Sequence, residues 1–346
     1  MSDLTVGLAI VGGVVLAGVV AHGAWQARKA GPRRATSAGE AAPAEQMEPV
    51  LTDPALHDAA REDAAQRAGS RRPPLRLDAL IDAIATLEPE APLAGEFVLS
   101  HLPHTRRAGS KSFLIEGLSA ESGEWETIAA GAQYGQLQAG VQMANRTGAL
   151  NEIEYSEFVQ IVQTLADAVG AMAELPDMLD VVARARELDG FAGAHDAQLA
   201  LRLQARDAAW SVGFVQQQAA RSGFVTGQVP GRMVLSAVEE GAPPVLVLGY
   251  DAQAALADDP NLASVRDVTL SFDVAQTDPA EQPLLAWQAS AQALAKGMDA
   301  LLVDDQGRPL TEPGFASITV ELDRLYAALA AHGLAAGSAA ARRLFS

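Results

Sequence analysis

The chain has 346 residues, 49% of them hydrophobic, and 43 acidic against 25 basic side chains leave it a net charge of −18. That length accommodates two modest domains plus linkers. The absence of Cys excludes disulfides, thiolate zinc sites and Cys nucleophiles and suits a reducing compartment; so acidic a body repels phosphate backbones, and no nucleic-acid partner is expected.

From Leu4 to Ala21 no residue is charged, and the apolar stretch extends to Trp25. About 20 apolar residues in a helix cover the ~30 Å hydrocarbon layer of a bilayer. A cleavable export signal would start with basic residues and keep an apolar core of about 7–15 residues. Here the start carries Asp3 and no Lys or Arg, and Arg28, Lys29, Arg33 and Arg34 follow the run directly. Basic residues on the C-terminal side put that side in the cytoplasm. Residues 1–27 are therefore expected to be a transmembrane anchor, in contact with the lipid bilayer through residues 4–25, with the N-terminus outside. Residues 28–76, rich in Ala, Pro, Glu and Arg, read as a flexible linker.

Residues 77–190 read as a first α+β segment. "GQLQAGVQMAN" alternates with period two, Leu137, Ala139, Val141 and Met143 on one face and Gln136, Gln138, Gly140 and Gln142 on the other. A helix with the stripe Phe158, Val162, Leu165 and Val169 follows. Residues 195–330 read as a second such segment. "LALRLQ" turns Leu199, Leu201 and Leu203 inward, and a helix is expected around Trp210 to Arg221. Strands are expected across "GFVTGQVPGRMVLSA", "PPVLVLGYD" and "RDVTLSFDVAQ", the last with Val268, Leu270, Phe272 and Val274 on its core face. The next helix carries Trp287, Ala291, Leu294 and Met298 at the spacing of the earlier stripe, which suggests a duplication. "ALLVDDQGRPLTE" runs into a turn, and a last helix presents Ile318, Leu322, Leu325, Tyr326 and Leu329. Residues 331–346 are left as a tail. The fold class is α+β: an antiparallel sheet with helices on one face, present as two tandem copies behind a single transmembrane helix.

Chemistry-bearing motifs are scarce. No phosphate-cradling Gly loop, nucleophile elbow or His-rich zinc spacing occurs. His101 and His104 lack a third ligand nearby, so no metal is expected. Asp304-Asp305 beside Gly307 and Pro309 suit a turn, although a carboxylate pair there is the one enzymatic alternative. Arg106, Arg107 and Lys111 form the one basic knot of the body and suit a solvated loop. No cofactor and no catalytic residue is assigned. An anchor, a tether and a folded head make a recruitment device.

Two regions resemble the ZipA family, the membrane anchors of the bacterial division protein FtsZ. The N-terminal run ends in His22, Gly23, Trp25, Arg28 and Lys29, similar to the family's anchor. The C-terminal region carries a Leu-x-Asp-Asp-Gln-x-Arg turn at Leu302, Asp304, Asp305, Gln306 and Arg308 before the last helix. The likeness covers residues 4–29 and about 197–330. It implies a non-enzymatic inner-membrane protein of the division site, with a periplasmic N-terminus and a cytoplasmic body. Its uncovered sheet face would hold the FtsZ C-terminal tail peptide. Carried over strand by strand, the groove is Ala200 and Arg202, Val229 and Gly231, Val247 and Gly249, Thr269 and Ser271. This chain departs from the family in two ways: its outward positions are small or polar where the family has Met and Phe, and residues 77–190 stand where the family has a long linker. A scaffold for a different divisome partner is the alternative.

Overall fold

The computed structural model describes residues 76–310 and 312–346. The expected anchor at 1–27 and the linker up to residue 75 lie outside the described residues. No described helix is long and apolar enough to cross a membrane.

Alternation builds the first sheet. In β1 (Asp82–Pro89), Ala83, Ala85 and Leu87 are buried, and Ile84, Thr86 and Glu88 face the other way. β2 (Lys111–Ser119) and β3 (Gln133–Gln142) align with it, so that Ala85, Ala139 and Ile115 form one row and Leu87, Leu137 and Gly117 the next. β4 (Ala171–Glu174) closes the antiparallel order β2-β3-β1-β4. Between β1 and β2 lies α1 (Gly95–His101). α2 (Glu152–Val169) starts at a capping box in which Asn151 and Glu154 satisfy each other's backbone N–H groups. It ends where Gly170 takes φ +67°, a left-handed cap that a side chain would disfavour. Its stripe meets the sheet, Phe158 edge-on to Phe113 at 6.2 Å. α3 (Met178–His195), capped by Asp177, continues past the segment boundary expected at residue 190.

The second sheet comprises β5 (Gln198–Ala205), β6 (Arg232–Leu235), β7 (Leu246–Gly249), β8 (Asp267–Asp273) and β9 (Ala300–Val303) in the order β6-β7-β8-β5-β9, with the two-residue strand Val225–Thr226 paired outside β6, all antiparallel. α4 (Val212–Arg221), α5 (Pro283–Met298) and α6 (Glu312–Ala331) accompany it. Trp210 and Ser211, expected as the start of α4, instead form a short strand paired with Ser264 and Val265, and the Ser211 hydroxyl caps the helix. In both sheets the first strand (β1, β5) lies between the strand before the long helix (β3, β8) and the strand after it (β4, β9). The chain is α+β with antiparallel sheets.

Residues 331–346, expected to trail as a tail, are folded in. α7 (Ala339–Leu344) and Phe345 join Leu329, Leu334, Ile81, Ala144, Ala192 and Ala275 in a buried cluster drawn from both segments. At its centre Arg343 grips Asp82 at the start of β1 through Nη2–Oδ1 at 2.6 Å and Nη1–Oδ2 at 2.7 Å. Gln142 of β3 donates to the Arg343 carbonyl, and Gln276 beyond β8 donates to that of Phe345. Arg146 adds a bridge from the first segment to Asp196 and Asp273, 2.6 Å each.

Burial raises the Asp82 carboxyl above its ordinary value, and Arg343 offsets only part of that rise. The folded state therefore holds that proton more tightly than the unfolded chain, so protonation favours folding as pH falls through the interval between the two values. Replacing Arg343→Met leaves a buried carboxylate without its partner. The expected cost is about 3–5 kcal/mol at neutral pH, and it shrinks as the solution is acidified because the carboxyl then rises further still. Urea denaturation at a series of pH values checks both the loss and its sign; a loss that stays constant with pH contradicts the assignment.

Candidate functional site

The second sheet has two chemically distinct faces. On one, Leu201, Leu203, Met233, Leu246, Leu248, Val268, Leu270 and Phe272 are buried against α4 and α5. Trp287 of α5 is the anchor: fully buried, it donates its indole N–H to the Leu270 carbonyl at 3.0 Å and stands edge-on to Phe272 and to Phe315 of α6. Burying a side chain of that size contributes about 2–3 kcal/mol. Trp210 likewise donates to the Met298 carbonyl at 2.8 Å, fixing the end of α5.

Strand alternation then sends Ala200, Arg202, Thr269, Ser271, Val247 and Gly249 to the opposite face, where all are half-buried or exposed. Register gathers them into two rows across the sheet. One runs Val247, Ser271, Ala200, and the other Gly249, Thr269, Arg202. Six of the eight expected groove residues are thus brought together. The other two, Val229 and Gly231, are not on a strand. They lie in the turn before β6, where the Val229 carbonyl accepts from Arg232 N–H and Gly231 takes φ +77°. A Cβ at Gly231 would stand 2.5 Å from the Tyr250 carbonyl oxygen, so the turn requires glycine. The residues that continue the rows are Val234, opposite Val247, and Arg232, opposite Gly249. The Pro230-Gly231 pair is the signal that could have found them, because it marks a turn and starts the strand one residue later.

The first sheet treats its corresponding face differently. Gln138 donates to Glu116, Gln136 to Glu88, and Gln142 to the Ala144 and Arg343 carbonyls. Leu77 lies over Gly140, where a Cβ would come within 2.3 Å of its Cδ2, and Leu77 N–H donates to Glu116. The polar groups of that face are thus consumed inside the chain.

Other candidate residues have structural partners. Asp304 accepts from the backbone N–H groups of Gln306 and Arg308 and from Arg308 Nε at 2.8 Å; these bonds, the Arg308 N–H foremost, hold its carboxyl below the ordinary value. Asp305 is exposed in the same turn. His101 folds back on its own helix, its ring 4.5 Å from that of Phe97 and its Nδ1 2.8 Å from the Phe97 carbonyl, and His104 is exposed. Among the described residues no three His, Cys, Asp or Glu side chains are grouped to hold a metal ion. The basic knot is split. Arg106 and Arg107 are exposed, but Lys111 is buried, its ammonium on Asn145 Oδ1, Thr147 Oγ1 and the Gly148 carbonyl, and burial lowers its pKa. It fastens the turn after β3 and is no part of a solvated loop.

The two-faced sheet depends on Trp287. Trp287→Phe removes the indole bond to the Leu270 carbonyl and part of the ring packed on Phe272 and Phe315, and is expected to cost about 1–3 kcal/mol, read as a lower urea midpoint with unchanged far-UV circular dichroism; an unchanged midpoint contradicts that dependence.

No protein-family model matches the chain, and no curated protein matches it.

Proposed function

We propose that this chain is a non-enzymatic inner-membrane tether that holds FtsZ polymers at the cytoplasmic face of the division site. In this proposal the outward face of the second sheet binds the FtsZ C-terminal tail peptide, residues 4–25 anchor the chain in the bilayer, and residues 77–190 are a degenerate duplicate of the binding segment. The observation that carries the proposal is the pair of rows Val234, Val247, Ser271, Ala200 and Arg232, Gly249, Thr269, Arg202, on the face opposite α4 and α5. Small and short side chains there let a peptide backbone come close, and Val234 and Val247 supply apolar contact. The strand order common to the two sheets supports the duplication, and the self-satisfied outer face of the first favours the second as the binding element. Apolar area yields about 25 cal/mol per Å², so a floor of Val, Ala, Ser and Gly gives a modest grip on a single tail. Many tethered heads meeting many tails along a filament would turn that grip into firm attachment.

The test is fluorescence anisotropy of a labelled FtsZ tail peptide against the purified full chain in detergent. Wild type is expected to bind with Kd in the tens of micromolar or below, and Val247→Glu or Val234→Glu to weaken binding by about tenfold or more. An unbound tail at these concentrations, or one indifferent to both substitutions, overturns the proposal; capture of another division protein by the same face would assign a different partner.

A further inference from the structure

Two arginines three strands apart in one row, Arg232 and Arg202, define what this face reads; beyond Arg202 the row continues to buried Val303 of β9. Register sets Arg232 opposite Gly249, Gly249 opposite Thr269 and Thr269 opposite Arg202, so the guanidinium-bearing positions are separated by three inter-strand steps, about 14 Å. Between the two positions stand only a hydrogen at Gly249 and the short hydroxyl side chain of Thr269, and the Arg202 guanidinium reaches over β9, its Nη2 3.9 Å from where a Cβ at Gly307 would stand.

Neither arginine has a carboxylate partner among the described residues, although the chain carries 43 acidic side chains and arginines such as Arg146, Arg308 and Arg343 do hold carboxylates. Arg202 Nε is moreover buried and without any hydrogen-bond partner. On the same face Asp267 stands one row further, opposite Gln204, and makes no ion pair with Arg202; Asp273 is engaged by Arg146. A planar guanidinium presents paired N–H donors that fit a carboxylate two at a time.

Resting on the assignment of this face as the peptide site, we infer that its ligand is an acidic peptide lying across the strands, with two carboxylates about 14 Å apart, one on Arg232 and one on Arg202, and an apolar side chain between them on the Val234–Val247 row. Four residues of extended chain cover about 13–14 Å, so the carboxylates belong at positions i and i+4. These two arginines, on one face of an otherwise acidic protein, are then the specificity element, and the small apolar side chains are the floor.

The experiment measures anisotropy at 50 and 300 mM NaCl for the full chain with two probes, the FtsZ tail peptide and a synthetic Glu-Ala-Val-Ala-Glu peptide, each beside its Asn/Gln-for-Asp/Glu counterpart. Arg202→Gln and Arg232→Gln are each expected to weaken binding about tenfold, and the double variant to lose its salt dependence. The neutralised peptides should bind wild type as weakly as the acidic ones bind the double variant, and Lys at either position should restore binding only in part. If the double variant matches wild type in affinity and salt response, the inference is overturned while the tail assignment stands. If the synthetic peptide binds and depends on both arginines but the FtsZ tail does not bind, the inference stands and the tail assignment falls. If neither peptide binds, both fall. Should a variant misfold by circular dichroism, the comparison of acidic and neutralised peptides on wild type decides alone.

Discussion

A buried ion pair, Arg343 on Asp82, closes this structure. It joins the last helix to the first strand across almost the whole described chain, and the cluster around it draws Ile81 and Ala144 from one segment, Ala275 from the other, and Leu344 and Phe345 from the C-terminal helix. Taking both charges out of water is expensive, and a pair of this kind gives little net stability over a well-packed apolar contact. What it provides is position. Bidentate geometry admits one docking of α7, and with the carbonyls of Arg343 and Phe345 receiving Gln142 and Gln276, one placement of the two sheets.

Much of the second sheet was legible because periodicity there is strong. β8 alternates without a break, and α5 carries large residues at helical spacing, so their core faces could be read directly. β6 was displaced because four residues preceded by a turn give too short a pattern to fix register, and one step of slip exchanges the two faces. β1 and β2 are faint in the sequence for a different reason. Alanines fill the core face of β1 and a lysine opens the core row of β2, so hydropathy alone does not outline them. Lys111 looked like surface for the same reason, since its acceptors come from a turn more than thirty residues away. The role of α7 was illegible altogether. "AAARRL" has no partner until the fold brings Asp82 beneath it.

The two segments share a strand order and differ in how they use the outer face. In the first, buried Glu116 takes Gln138 and the Leu77 N–H, so charge and amide are matched within the chain and Gly140 makes room for the incoming segment. In the second, the equivalent surface keeps two arginines without acids and a floor of small side chains. One strand order thus carries an internally braced outer face in the first segment and an unbraced one in the second, and the difference lies in a handful of outward residues that the core does not constrain.

The Asp304–Arg308 turn bears on a hazard general to sheets. By folding back, it pairs Val303 with Pro309 and gives Leu310 N–H to the Leu302 carbonyl, so the outer margin of β9 is already occupied by its own chain. An exposed strand edge invites sideways strand exchange and runaway β-stacking with other chains. The hairpin seals that margin, with a proline set where a neighbouring strand would look for an amide hydrogen.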